Sequence, residues 1–286
     1  MQHVTYEKDG QIAVITLRRP ERRNALGREL CRDLRAAYAE LEADPEVWVG
    51  ILTGEGNFCA GRDLKETTWD GDADGPHDAG FPSPDLFFYN DLSKPLITAV
   101  NSYAFGGGLL LALPFADLVI CGESAVFELS EVQRSLLGAW EVGWDLGLPR
   151  AIAMELALGY RISGRRAYEV GLANAVVPDE ELLATAKDWA RKLLVLPPTI
   201  VKRHRELVRR HAARPMSNEV RTLWERYWDE HMNSADFDEG DRAFLEKRPA
   251  RYRVEAFAAG FEEESAKNYT GTAARARYGV DQQEPV

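Results

Sequence analysis

Two glycine-rich segments, Gly54-Glu55-Gly56-Asn57-Phe58-Cys59-Ala60-Gly61 and Gly106-Gly107-Gly108, each follow a short apolar run, and this pairing constrains the fold more than any other feature. The preceding runs, Val47–Leu52 and Leu96–Val100, have the length and composition of buried strands. A turn that leads from a buried strand into a helix exposes main-chain N–H groups, and the helix dipole adds positive potential there. Neither segment is a nucleotide loop: 54–61 lacks G-x-G-x-x-G, and no G-K-[ST] follows the triple glycine. Two N–H donors converging from separate loops suit a single oxygen that gains negative charge.

The rest of the pattern places these turns in an alternating layout. Val4–Lys8 and Ile12–Leu17 read as strands joined at Asp9-Gly10, and apolar residues at helical spacing predict a helix from Gly27 to Ala43. A short apolar helix, Leu109–Leu113, and a strand, Leu118–Cys121, follow the triple glycine. Strands alternating with helices predict the α/β class. From Leu182 the periodicity turns helical, with candidates Leu182–Leu194, Thr199–His211 and Ser217–His231. Residues 66–85, rich in Asp, Gly and Pro, read as a surface loop, and 281–286 as an extended tail.

Charge narrows the partners. A formal net charge of −11 repels a phosphate backbone, so nucleic acid is not an expected partner. A small polyanion can still bind where basic residues cluster, and Arg18-Arg19-Pro20-Glu21-Arg22-Arg23 is such a cluster, although a solvated turn has the same composition. No apolar run approaches the roughly 18–20 residues that span a bilayer, so no membrane association is expected. The N-terminal residues carry no export pattern, and the three cysteines, Cys31, Cys59 and Cys121, have no paired spacing; both features predict a cytoplasmic protein with free thiols.

Phe58-Cys59-Ala60-Gly61-Arg62-Asp63-Leu64 and Ala99-Val100-Asn101-Ser102-Tyr103-Ala104-Phe105-Gly106-Gly107-Gly108 together resemble the crotonase (enoyl-CoA hydratase/isomerase) superfamily. Arg19–Leu26, Ala116–Ile120, Phe127–Val132, Ala167–Ala173 and Phe244–Pro249 match in the same order, so the resemblance runs from Val4 to Tyr252. It implies a spiral of ββα units over residues 1–200, a C-terminal helical region at 201–253 that packs subunits into trimers or pairs of trimers, and an unmatched extension at 254–286. Trp224, Tyr227, Trp228 and Met232 lie at helical spacing and would supply the apolar stripe of that interface. The implied substrate is a coenzyme A thioester, with no tightly bound cofactor. Carried over, the resemblance puts an oxyanion hole on the N–H groups of Ala60 and Gly107. It lines the coenzyme site with Ala60, Gly61, Asp63 and Leu64, and sets Arg22, Arg23, Ala25 and Leu26 against the coenzyme, with one of the two arginines near a phosphate.

The carboxylates decide the chemistry. Hydratases of this family use two glutamates; the first position falls on Leu110, which cannot transfer protons, and the second on Glu131. One glutamate suits double-bond isomerisation or C–C cleavage, and Glu131 becomes the expected proton-transfer group. Trp140 and Trp144 should reshape the acyl pocket, where Glu141 is a candidate second acid. Asp145 reads as a surface acid, and His77, in the loop, as a residue without chemistry. The expected protein is an acyl-CoA lyase or isomerase. The alternatives are a hydrolytic or C–C cleaving homologue acting on a cyclic acyl-CoA, where the tryptophans could flank a ring, and a non-catalytic acyl-CoA-binding subunit.

Overall fold

The computed structural model describes residues 1–66, 92–136, 138–140 and 142–212, with 222, 239, 242–243 and 245–248. The sequence alternates inward and outward positions, and the architecture follows from that. Strands β1 (Val4–Asp9), β2 (Ile12–Leu17), β3 (Val49–Gly54), β4 (Leu96–Val100), β6 (Leu118–Gly122) and β9 (Ala175–Val177) form one sheet in the order β1-β2-β3-β4-β6-β9. Only β1–β2 is antiparallel, in register Asp9↔Ile12, with Gly10 at a positive φ of 61° in the connection. The other pairings are parallel, and their strands are buried on both faces, as parallel sheets require.

Successive residues of each strand feed opposite cores. Ala13, Ile15 and Leu17 face the core that helix α1 (Arg28–Ala43) closes with Leu30, Leu34, Ala37, Tyr38 and Leu41. Ile12 and Val14, with Val49, Ile51, Ile97 and Ile120, face the core that helix α6 (Leu182–Leu194) closes with Leu182, Ala186 and Ala190. Each large aliphatic side chain so enclosed stabilises the fold by about 1.5–3 kcal/mol.

A second, three-stranded sheet is built from β5 (Tyr103–Phe105), β7 (Val126–Glu128) and β8 (Ile162–Ser163). Here β4 leads to β5 and helix α2 (Gly107–Ala112), and β6 leads to β7. The β3 strand repeats the step, because Cys59 just beyond it bridges to Ala104. The β4–β5 and β6–β7 steps each lay one strand in the large sheet and one in the small sheet, as the expected spiral does. Helices α3 (Val142–Asp145), α4 (Arg150–Ala157), α5 (Gly164–Glu169) and α7 (Pro198–Ala212) complete the described residues. Arg205 and Arg209 of α7 hold it to the core: Arg205 donates to Asp117 at 2.8 Å, and Arg209 pairs with Asp117 at 3.2 Å and donates to the Phe115 carbonyl.

The strands expected from the sequence are present with ends moved by at most two residues, whereas β5, β7, β8 and β9 were not expected. They have two or three residues each, too few to display a period. Most of the 66–85 loop with His77, the helix at 217–231, the four-residue stripe from Trp224 to Met232 and the tail lie outside the described residues. Among the described residues no helix is long and apolar enough to cross a membrane.

Candidate active site

The site begins with a turn in which two non-glycine residues, Arg23 and Asn24, adopt φ of 53°. Such a backbone needs local hydrogen bonds to hold it. Asn24 supplies them: its side-chain carbonyl accepts from the Arg19 N–H at 2.7 Å, and its amide donates to the carbonyls of Glu55 and Asn57. The turn is thereby tied to the first glycine-rich loop. Leu26 continues the contact, donating to the Gly61 carbonyl at 2.7 Å and accepting from the Asp63 N–H at 3.2 Å. Ala25, Leu26, Asp63 and Leu64 are all buried, so the expected coenzyme segments 22–26 and 60–64 lie side by side.

The four arginines of the basic cluster are not equivalent. Arg18 pairs with Glu55, and Arg19, nearly enclosed, donates to Asp63 at 3.0 Å and to Glu66 at 2.5 Å. Arg22 and Arg23 have no acidic partner among the described residues, and the Arg23 guanidinium lies 6.0 Å above the exposed Tyr103 ring. They are therefore the pair with charge available for a phosphate, which residue type alone did not distinguish.

Close approach of the two glycine turns builds the next layer. Gly61 has φ of 87°, and a Cβ there would stand 2.6 Å from the Phe105 carbonyl oxygen and 3.3 Å from the Gly107 nitrogen. Gly107 is the first residue of α2, so its N–H has no intrahelical acceptor, and none accepts it among the described residues. The expected partner, Ala60, requires correction. Its N–H is already donated to the Arg23 carbonyl at 3.0 Å, inside the turn-to-loop ladder. In the parallel bridge of Leu26 with Arg62, the N–H of Asp63 and the carbonyl of Gly61 face Leu26. The alternation of an extended chain then turns the Arg62 N–H to the opposite side, where Gly61 abuts Gly107.

Glu131 joins the same place from a third element. Gly106, at φ 51° and ψ −121°, donates its N–H to the Glu128 carbonyl at 2.8 Å, which seats the β5 end against the β7 end. A Cβ on Gly106 would be 3.0 Å from a carboxylate oxygen of Glu131 and 3.0 Å from the Ser130 hydroxyl, so the carboxylate lies directly against the turn carrying Gly107. Its other oxygen, Oε2, is buried with no hydrogen-bond partner among the described residues. Burial raises the Glu131 carboxyl from 4.5 to about 7; a bond from its own N–H and the charges of Arg134 and Arg62 pull it down, and Glu128 adds to the rise. Arg134 is fixed by donating to the Ser130 hydroxyl at 2.7 Å.

Leu110 is half-buried and packs against the core, so no second carboxylate stands at that position. Trp140 is half-buried, Asp145 is exposed as expected, and Glu141 and the Trp144 side chain lie outside the described residues. The structure thus brings Gly107, Gly61 and Glu131 together and commits the Ala60 N–H to the Arg23 carbonyl. Arg62, Arg134, Glu128 and Arg161 had not been singled out as site residues. A charged residue so close to the motif glutamate was the available signal for Glu128 and Arg134; Arg161 offered none. Among the described residues, no group of three or more His, Cys, Asp or Glu could hold a metal ion.

Comparison with known proteins bears on the whole of this arrangement. The family model for enoyl-CoA hydratase/isomerase matches residues 7–255. A carnitinyl-CoA dehydratase of Salmonella typhi is 36% identical over 260 residues, covering 86% of this chain and 95% of the relative. Among solved structures, a carnitinyl-CoA hydratase from Mycobacterium avium is 34% identical with a TM-score of 0.74, covering 89% of this chain and 99% of its own. A methylmalonyl-CoA decarboxylase solved with 2S-carboxypropyl-CoA is 25% identical with a TM-score of 0.78, covering 88% of this chain and 98% of its own. The spiral, the paired glycine turns and these likenesses agree: the chain belongs to the enoyl-CoA hydratase/isomerase family, the crotonases, and is an enzyme of that type.

Proposed function

We propose that this enzyme binds an acyl-CoA thioester, stabilises its enolate with the N–H groups of Gly107 and Arg62, and moves a proton with Glu131. The observation that carries the reading is the enclosed Glu131 carboxylate, with one oxygen against the Gly106 turn and the other buried without a partner. A buried polar atom left unsatisfied costs stability, and such atoms mark places where a ligand completes the bonding. In the reaction, the C–H bond α to the thioester breaks, its proton passes to Glu131, and the electron pair becomes the enolate, whose oxygen faces the two donors. Fixed donors favour that anion over the neutral carbonyl and so lower the barrier. Glu131 then returns the proton to another carbon, or the enolate expels a group from the β-carbon. With Leu110 at the other glutamate position, hydration of straight-chain enoyl-CoAs is slow, because that position has no carboxylate to hold the water.

The coenzyme lies along 60–64 and 22–26, with its phosphates toward Arg22 and Arg23. The likeness to the decarboxylase favours a second reading, C–C cleavage, which reaches the same enolate without removing an α-proton. Kinetics on a panel of acyl-CoA thioesters, run for wild type and Glu131→Gln, separate these. Under the first reading turnover falls by roughly 10²–10⁴-fold, the scale of a lost acid–base group, while calorimetric affinity for the thioester changes little. Because the ionised carboxylate is the active form, kcat/KM rises with pH through about 7. Unchanged turnover in Glu131→Gln would remove the proton-transfer role.

A further inference from the structure

Three residues before Glu131, Glu128 is 3% exposed and its carboxylate accepts from the Arg161 Nε at 2.5 Å. Arg161 reaches it from beside β8, with a side chain that is 68% exposed, and its guanidinium also lies 5.5 Å over the Phe105 ring. Phe105 and Glu128 are themselves cross-strand partners in the parallel β5–β7 ladder. One arginine therefore touches a side chain on each of the two strands whose ends carry Gly106-Gly107 and Glu131. The pair adds little to stability by Coulomb attraction alone, since the Arg161 end is largely exposed to solvent and screened by it.

We propose that Arg161 is a positioning residue: by neutralising Glu128 and clamping β5 to β7, it holds the Glu131 carboxylate beside Gly106 without a second free acid at its side. The inference rests on the reading of Glu131 as the proton-transfer group. Among the described residues, the charged groups facing Glu131 are Arg62 from the 58–64 segment, Arg134 from its own turn and Glu128 from β7. Burial opposes the ionised form most; of these charges, the two arginines favour it and Glu128 opposes it. Among the described residues, Arg161 is the cation set directly on Glu128, and the pairing raises the Arg161 group in turn, through that hydrogen bond first and the Glu128 charge second.

The test is a charge cycle on the full-length protein: Arg161→Gln, Glu128→Gln and the double variant, each with its pH profile of kcat/KM. A direct titration of Glu131 by carboxyl ¹³C NMR, assigned by the signal missing in Glu131→Gln, accompanies it. In R161Q the lone Glu128 charge disfavours ionised Glu131, so the acid limb moves to higher pH, and kcat at pH 7 drops by roughly ten- to a hundredfold from misplacement. In E128Q the limb moves to lower pH, and in the double variant it returns toward wild type. A limb that stays in place in R161Q while activity falls, or that moves equally in R161Q and the double variant, overturns the proposal. If R161Q does not fold, E128Q and the double variant, which leave no lone buried acid, give the same comparison. The NMR titration keeps the two readings distinct: loss of Glu131's catalytic role shows as full activity in E131Q, whatever Arg161 does.

Discussion

Asp63 and Glu131 are both enclosed carboxylates within reach of the same glycine turns, and their surroundings are opposite. Asp63, 4% exposed, is saturated: the Arg19 guanidinium donates to one oxygen at 3.0 Å, and the Lys65 N–H to the other at 3.1 Å. Glu131 keeps an oxygen with no partner among the described residues, and its nearest cations act through space. The first carboxylate fixes a loop, because each of its oxygens is held by a donor from a different segment. The second keeps an oxygen that no group among the described residues uses, which suits the proposed proton exchange. Burial alone does not mark a catalytic acid; burial without partners does.

Asp63→Ala should produce the largest effect on this contrast, taking from the nearly buried Arg19 the one buried acid among its partners and leaving it the more exposed Glu66 and Glu21. The cost is about 3 kcal/mol of stability, read as a lower urea midpoint, with weaker thioester binding because the 60–64 segment loosens. A fall in turnover with stability and affinity intact would assign Asp63 a chemical role instead. Next, Gly106→Ala places a methyl 3.0 Å from the Glu131 oxygen on a backbone that resists side chains. Turnover should fall by about a hundredfold from displacement of the base, with KM little moved; normal kinetics would break the link between Gly106 and Glu131.

A smaller change is expected at the entrance. Arg23→Gln, tested alongside Arg22→Gln, should weaken coenzyme A thioesters by roughly tenfold, the worth of one charge-assisted contact. Affinity for a phosphate-free pantetheine thioester should stay the same, and equal losses for both ligands would deny the phosphate contact. The smallest effect concerns Glu131 itself. Its carboxyl titrates near 7 in the fold against an ordinary 4.5, so the folded state holds a proton that the unfolded chain releases. The associated stability is complete below about pH 4.5 and is lost as pH rises through about 7. Glu131→Gln stays neutral and should melt a few degrees above wild type at pH 8.5, at about 2–4 °C per kcal/mol for a chain this size, with the gap closing near pH 4. A constant gap at both pH values would mean that the carboxyl is not shifted.

How much of this was legible in the sequence differs from element to element. The long strands β2, β3 and β4 and helix α1 declared themselves, because apolar residues repeat over a full period. Glu131 and Gly107 were legible because motif and turn chemistry coincide there. The Ala60 donor was not, because the direction of an N–H in an extended segment depends on which neighbour pairs with it. That neighbour is the carbonyl of Arg23, 37 positions earlier in the chain. The division of labour among Arg18, Arg19, Arg22 and Arg23 was hidden for the same reason, since their acids, Glu55, Asp63 and Glu66, lie on another loop. The Glu128–Arg161 pair joins a three-residue strand to the residue just before a two-residue one, and the sequence displays neither strand.

The ladder linking Leu26 to Arg62, Cys59 to Ala104 and Phe105 to Glu128 also sets an order of events during synthesis. Each rung waits for a segment made later, and the last, Arg161 onto Glu128, closes only when the β8 segment has left the ribosome. At roughly 5–20 residues per second, the nascent chain passes several seconds with strands formed and no working pocket. Pairings so distant in sequence are also the slow ones in refolding. Recovery of thioester binding after dilution from denaturant should therefore trail the recovery of helix signal.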